Sequence, residues 1–201
     1  MSTFDLLAAY LRQRTRARVL IPLALVLASF GWWLEPSGGF HVSAFFAAAL
    51  RAFVFTLAFR VWDDLEDRGV DRILHPERVL ASTSRVAPFM ALILGLGAVG
   101  TTLLFPLSDL LPRVVALGIA GGALSAWYAS RRSENWNRVA GGLIVLVKYP
   151  LIAYAVAPAL PTVTSARTVI VLAVLYALIC VYEYADDPEL RHVISSRRSL
   201  P

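Results

Sequence analysis

Six blocks of apolar residues divide the chain, at roughly Val19–Leu34, Ser43–Trp62, Ala87–Leu107, Val114–Ala129, Val139–Ala157 and Thr168–Tyr184. Each is close to the ~20 residues an α-helix needs to cross a ~30 Å hydrocarbon core, the first and fourth slightly short. Pro, Gly, Ser and charged residues separate them, as in Glu35-Pro36-Ser37-Gly38-Gly39 and Pro158-Ala159-Leu160-Pro161. At bilayer depth there is no water to satisfy backbone polar groups, so blocks of this length predict helices rather than strands. The expected fold class is all-α: a polytopic transmembrane helical bundle of about six spans, one domain over residues 1–201. No linker, low-complexity tract or repeat interrupts it.

Composition removes the soluble alternative. Of the 201 residues, 58% are hydrophobic and 16% charged, against ~25% charged in a soluble domain. The cations then predict orientation. With the N-terminus inside, 15 of the 19 Lys and Arg residues fall on inner segments, among them Arg12, Arg14, Arg16, Arg18, Arg60, Arg68, Arg72, Arg78, Arg85 and Arg131. The outer loops keep Arg113 and Arg167, while Arg51 and Lys148 lie within spans. This positive-inside bias predicts both termini in the cytoplasm.

The net charge of +5 is thereby explained as arginines facing anionic membrane lipids, and no nucleic-acid partner is expected. Residues 1–18 are predicted as a cytoplasmic interfacial segment in which a helix over Thr3–Leu11 turns Phe4, Leu7, Tyr10 and Leu11 toward lipid. The first span is too long for a signal-peptide core and lacks a small-residue cleavage site, so it reads as a retained anchor. Cys180 is alone, which leaves no disulfide or thiolate metal site. An Arg-rich composition with a single Lys points to a prokaryotic plasma membrane. Gly95, Gly97, Gly100, Gly118, Gly121, Gly122, Gly141 and Gly142 read as close-packing positions between helices.

Two acidic clusters carry the candidate chemistry. Asp63-Asp64-Leu65-Glu66-Asp67-Arg68-Gly69-Val70-Asp71 puts five carboxylates within nine residues at the end of the second span, opening an acidic-motif loop over 63–86. In a continuous helix Asp63, Asp67 and Asp71 share a face, with Asp64 beside it and Glu66 turned away. A helix C-terminus is partly negative, so these carboxylates require compensation by Arg60, Arg68 and Arg72 or by a hard divalent cation such as Mg²⁺. Tyr182-Glu183-Tyr184-Ala185-Asp186-Asp187-Pro188-Glu189 ends the sixth span, before a tail over 188–201. Spans two and six run the same way, so both clusters reach one face. Within the spans, Lys148 is the stronger functional candidate and Arg51 the weaker.

Asp63-Asp64-x-x-Asp67-x-x-x-Asp71 resembles the first aspartate-rich motif of the UbiA superfamily of intramembrane prenyltransferases. Arg78-Val79-Leu80-Ala81-Ser82, Tyr128-Ala129-Ser130-Arg131-Arg132 and Glu183-x-x-x-Asp187 are similar to three further segments of that family, in the same order. The resemblance implies a UbiA-like bundle and a Mg²⁺-dependent transfer of a prenyl group from an isoprenoid diphosphate to an aromatic or other lipophilic acceptor. It implies Asp63, Asp64, Asp67, Asp71, Glu183 and Asp187 as the metal set, and Arg72, Arg78, Tyr128 and Arg131 as diphosphate contacts. Asp63, Asp67 and Lys148 are the expected catalytic groups. Asp63, Glu183 and Val79 stand where the family prefers Asn, Asp and Pro. Family members have nine spans, which leaves room for completion by a homo-oligomer or for a non-catalytic relative. The same carboxylates also suit a terpene cyclase, and acidic span ends suit a divalent-cation carrier.

Overall fold

In a computed structural model the chain is helical, without strands, among the described residues, which are 2–15, 17–34, 40–130, 138–160 and 165–186. In order, the helices are α1 (Thr3–Arg14), α2 (Ala17–Leu34), α3 (Val42–Glu66), α4 (Arg68–Leu74), α5 (Val79–Ser82), α6 (Ala87–Leu104), α7 (Leu110–Ser130), α8 (Arg138–Leu146), α9 (Lys148–Val156) and α10 (Ala166–Asp186). Five of them, α2, α3, α6, α7 and α10, are long and apolar enough to cross a membrane.

The fifth apolar block departs from the expected continuous span. It breaks at Val147 into α8 and α9. Pro150, in the first turn of α9, has no N–H for the carbonyl four residues back, and its ring crowds that carbonyl, so a helix running through from α8 is disfavoured.

The helix α3 is the centre of the packing, lying along α2, α6 and α9, while α9 also carries α7 and α10. The shared core includes Leu27, Phe55, Phe59, Leu124, Ile152 and Leu175. Lipid is as apolar as these side chains, so cohesion here comes from close van der Waals contact rather than from escape from water. Small residues provide it: Ala28, Ala48 and Ala49 bring α2 and α3 together, and Gly31 lies against the backbone of α9. Only 17% of the apolar window of α6, and the same share of α10, is buried inside the protein, so most of each is left for lipid.

One end of the bundle is organised by arginine. Arg51 Nε donates to the Leu103 carbonyl (2.7 Å) near the end of α6. Arg113 Nη1 donates to the Ala155 and Ala157 carbonyls (2.8 and 2.6 Å) at the end of α9. Arg167 Nε donates to the Trp33 carbonyl (3.1 Å) at the end of α2. Each guanidinium thus meets the partly negative C-terminus of a different helix, where unpaired carbonyls need donors. This gives Arg51 and the two arginines of the predicted outer loops a structural task.

The α2–α9 seam yields a direct test. A Cβ at Gly31 meets the Ala153 carbonyl oxygen at 2.8 Å and the Ala157 Cα at 3.3 Å, both backbone atoms that cannot rotate away. Gly31→Ala is expected to destabilise by about 1–3 kcal/mol through overpacking. Gly95→Ala, with nothing within 4 Å, is expected to be neutral or to stabilise by up to about 1 kcal/mol from helix propensity. Thermal denaturation of both variants in detergent checks the contrast.

Candidate functional site

The second apolar block delivers its carboxylates intact to the end opposite Arg51, Arg113 and Arg167. With 25 residues, α3 is about 37 Å long, more than a ~30 Å hydrocarbon core, so its acidic end reaches the interface. A turn at Asp67 separates α3 from α4, yet the backbone bonds Asp67 N–H to Asp63 (2.9 Å) and Asp71 N–H to Asp67 (2.9 Å) carry the helical path across it. Asp63, Asp64 and Asp71 are all buried. Their compensation comes from three different parts of the chain.

Asp63 faces α7 and α9. Its Oδ2 is paired with the Lys148 ammonium, and its Oδ1 accepts a hydrogen bond from the Tyr128 hydroxyl at 2.9 Å. Lys148 is buried in the first turn of α9, so the positive end of that helix adds to its charge beside Asp63. Asp64 faces α1. Arg14 Nε donates to Oδ2 (2.8 Å), Arg14 Nη2 donates to Oδ1, and the Tyr10 hydroxyl donates to Oδ2 (2.9 Å). Arg60, one turn earlier on α3, lies 3.5 Å from Asp64 Oδ1. Asp71 accepts from Arg78 Nη1 at 2.5 Å.

The role of α1 is a correction to the sequence reading. Leu6 and Tyr10 are buried against Val61, Leu80 and Phe89, with Leu7 and Leu11 packed beside them, while Phe4 is exposed. Tyr10 and Phe89 meet edge to face at 5.1 Å. The apolar face assigned to lipid is therefore turned onto α3, α5 and α6, because those helices offer a closer-packed surface than lipid chains do. Its start is fixed by a capping box in which Asp5 N–H donates to Ser2 Oγ and Ser2 N–H donates to Asp5 Oδ2, both at 3.1 Å. Burial, reinforced by the Asp64 charge, pushes the Tyr10 phenol above its ordinary range, so it remains a donor. The hydrogen bonds that Arg14 donates to Asp64 raise its guanidinium above the ordinary arginine range.

Beside this cluster lies a cavity of about 700 Å³. Its head is lined by Arg14, Arg18, Arg60 and Arg78 with Tyr149, Tyr182 and Glu183. Its lower walls are apolar, with Leu20, Leu23 and Val26 from α2 and Leu175, Leu178 and Ile179 from α10. Thr56 also lines it, and its hydroxyl is buried without a hydrogen-bond partner among the described residues. Val26 lies about two turns below Arg18, and Leu175 about two turns below Glu183, which makes the trough about 12 Å deep. Cationic at one end and apolar below, it matches an amphiphilic anion.

Of the residues singled out from the sequence, Arg78 and Glu183 line the cavity, and Asp63, Asp64, Asp71, Tyr128 and Lys148 form the adjoining polar cluster. Asp67 is half-buried in the α3–α4 turn. Arg72 lies apart: its Nε donates to the Ala81 carbonyl (3.2 Å) on α5. Arg68 likewise serves the Leu80 and Thr83 carbonyls rather than a carboxylate. Arg131 and Asp187 lie outside the described residues. Tyr10, Arg14, Arg18 and Thr56 were not among the candidates. The i, i+4, i+8 spacing of Leu6, Tyr10 and Arg14 was the available signal.

Hard carboxylate oxygens suit Mg²⁺ in chemistry, but their arrangement does not. Asp63, Asp64 and Asp71 each sit in an ion pair and diverge toward different helices. No group of three or more potential ligands converges among the described residues. Asp63, Asp64 and Asp71 are thus held in separate internal ion pairs rather than gathered on one point.

Five apolar helices of spanning length around a buried polar cluster define a helical integral membrane protein. No protein-family model, curated protein or solved structure matches this chain.

The buried Asp63–Lys148 pair predicts a non-additive mutant cycle. Lys148→Met strands a buried carboxylate and is expected to destabilise by about 3–5 kcal/mol, whereas Lys148→Met with Asp63→Leu is expected to recover most of that loss. Unfolding of the single and double variants in mixed detergent measures both.

Proposed function

We propose that this protein is an intramembrane enzyme that binds an isoprenoid diphosphate and transfers its prenyl group to a lipophilic acceptor. The observation that carries the proposal is the cavity, with four arginines at its head and an apolar trough of about 12 Å beneath. Guanidinium forks match phosphate oxygens, and the trough suits a hydrocarbon tail. The resemblance of the Asp63–Asp71 segment to an aspartate-rich prenyltransferase motif gives this shape a chemistry. Mg²⁺ as cofactor, and the roles of Asp67 and Asp187, rest on that resemblance alone.

In the proposed reaction the allylic carbon–oxygen bond breaks and its electron pair leaves with the diphosphate. Arg14, Arg18, Arg60 and Arg78 stabilise the departing charge by standing where it develops. The allylic cation is held between apolar walls that exclude water, and the acceptor's nucleophilic atom adds to it with loss of a proton. Lys148 and Tyr128 act as positioning residues through Asp63, which they hold at the end of α3. A second reading is favoured by the ion-paired carboxylates: a relative that binds the diphosphate without turning it over. Release of inorganic pyrophosphate separates the two, since only the enzyme produces it.

The first test is thermal stability of the detergent-purified protein with geranyl, farnesyl and geranylgeranyl diphosphate, with and without Mg²⁺. A ligand at about 100 times its Kd stabilises the folded state by about 2.7 kcal/mol. Stabilisation by at least one prenyl diphosphate is expected, with clear loss in Arg60→Ala and in Asp67→Ala. Indifference to all three ligands would remove the proposal.

The reading also puts the acidic end and both termini in the cytoplasm, following the arginine bias. In a Cys180→Ala background, a cysteine introduced at Ser2 is expected to react with an impermeant maleimide only after membrane permeabilisation. Labelling of intact cells would reverse the orientation.

A further inference from the structure

We infer that Arg14 is a ligand-binding residue held in reserve by Asp64, which occupies its guanidinium until a diphosphate takes it over. The inference rests on the proposed diphosphate reading and adds to it a partner exchange at the head of the cavity. Arg14 lines the cavity with Arg18, Arg60 and Arg78, yet its Nε and Nη2 both point to the carboxylate of Asp64. That two-pronged geometry is the one a phosphate group also offers, so carboxylate and ligand compete for the same fork.

Two features make the exchange feasible. Asp64 is not stranded when Arg14 leaves, because the Tyr10 hydroxyl (2.9 Å) and Arg60 (3.5 Å) remain on it. Nor does α1 depend on Arg14 for its place. Leu6 and Tyr10 are buried beneath it, Gln13 Oε1 accepts from Val79 N–H at 2.9 Å, and Arg85 donates to the Thr3 hydroxyl at 2.6 Å. The helix stays seated while its last side chain turns from carboxylate to ligand.

The exchange makes a prediction of opposite sign for two neighbours. In Mg²⁺-free buffer with EDTA, Asp64→Asn removes the competitor and is expected to tighten binding of farnesyl diphosphate and inorganic pyrophosphate by about tenfold. Arg14→Ala is expected to weaken both by about tenfold, the worth of one charge-assisted contact. The double variant is expected to follow Arg14→Ala, because Asp64 acts through Arg14. Arg14→Lys, which keeps the charge but loses the fork, should fall between wild type and Arg14→Ala, and it covers the case in which the alanine variant does not fold.

A purely structural role for the pair would weaken binding in every variant. Affinity unchanged or lowered in Asp64→Asn, or unchanged in Arg14→Ala, overturns the exchange while leaving the diphosphate reading in place. Failure of the wild type to bind either probe, in this buffer and with Mg²⁺ restored, overturns both.

Discussion

Burying a carboxylate at the C-terminus of a helix is costly twice over, once for the lost water and once for the negative helix end. The end of α3 does so with Asp63 and Asp64, and Asp71 is buried just beyond, in the first turn of α4. The structure answers by bringing one cationic side chain to each: Lys148 from α9, Arg14 from α1 and Arg78 from the loop before α5. These pairs gather side chains of the N-terminal helix, the centre of the bundle and the half-length helix α9 at one end of the bundle. Lys148 follows directly on the break at Val147, at the start of α9.

The same compensation shapes the cavity. Cations gathered to neutralise the carboxylates also line the head of an apolar trough, where Arg14, Arg60 and Arg78 each have a carboxylate on one side and open space on the other. Charge neutrality inside the protein and the proposed affinity for an anion therefore draw on the same side chains. In the proposed reading, a ligand bearing phosphate would enter this balance as a competitor for guanidinium groups already in place, not as the first anion to reach them.

The opposite end of the bundle uses arginine differently. Arg51, Arg113 and Arg167 serve carbonyls at the ends of α6, α9 and α2. Arg14, Arg60 and Arg78 meet carboxylates at the acidic face, whereas these three meet helix termini at the other, so the two ends of the bundle use arginine for different chemistry.

Much of this was legible in the chain. The apolar blocks, the acidic run at the end of the second block and Lys148 within the fifth are local patterns, and block length and period carry them whatever the chain does elsewhere. The pairing was not legible, because a surplus of arginine does not say which one meets which carboxylate. Asp64 is 50 residues from Arg14 and Asp63 is 85 from Lys148, so only packing brings them together. Tyr10 shows the limit most clearly. Its helix has an apolar face that suits lipid and protein equally well, and the choice fell to protein because Phe89, Leu80 and Val61 form a surface there and Asp64 needed a donor. The sequence by itself determined the membrane helices and the place of the charge. The tertiary structure decided which charges cancel and where the cavity opens, since both depend on contacts between segments that no local pattern links.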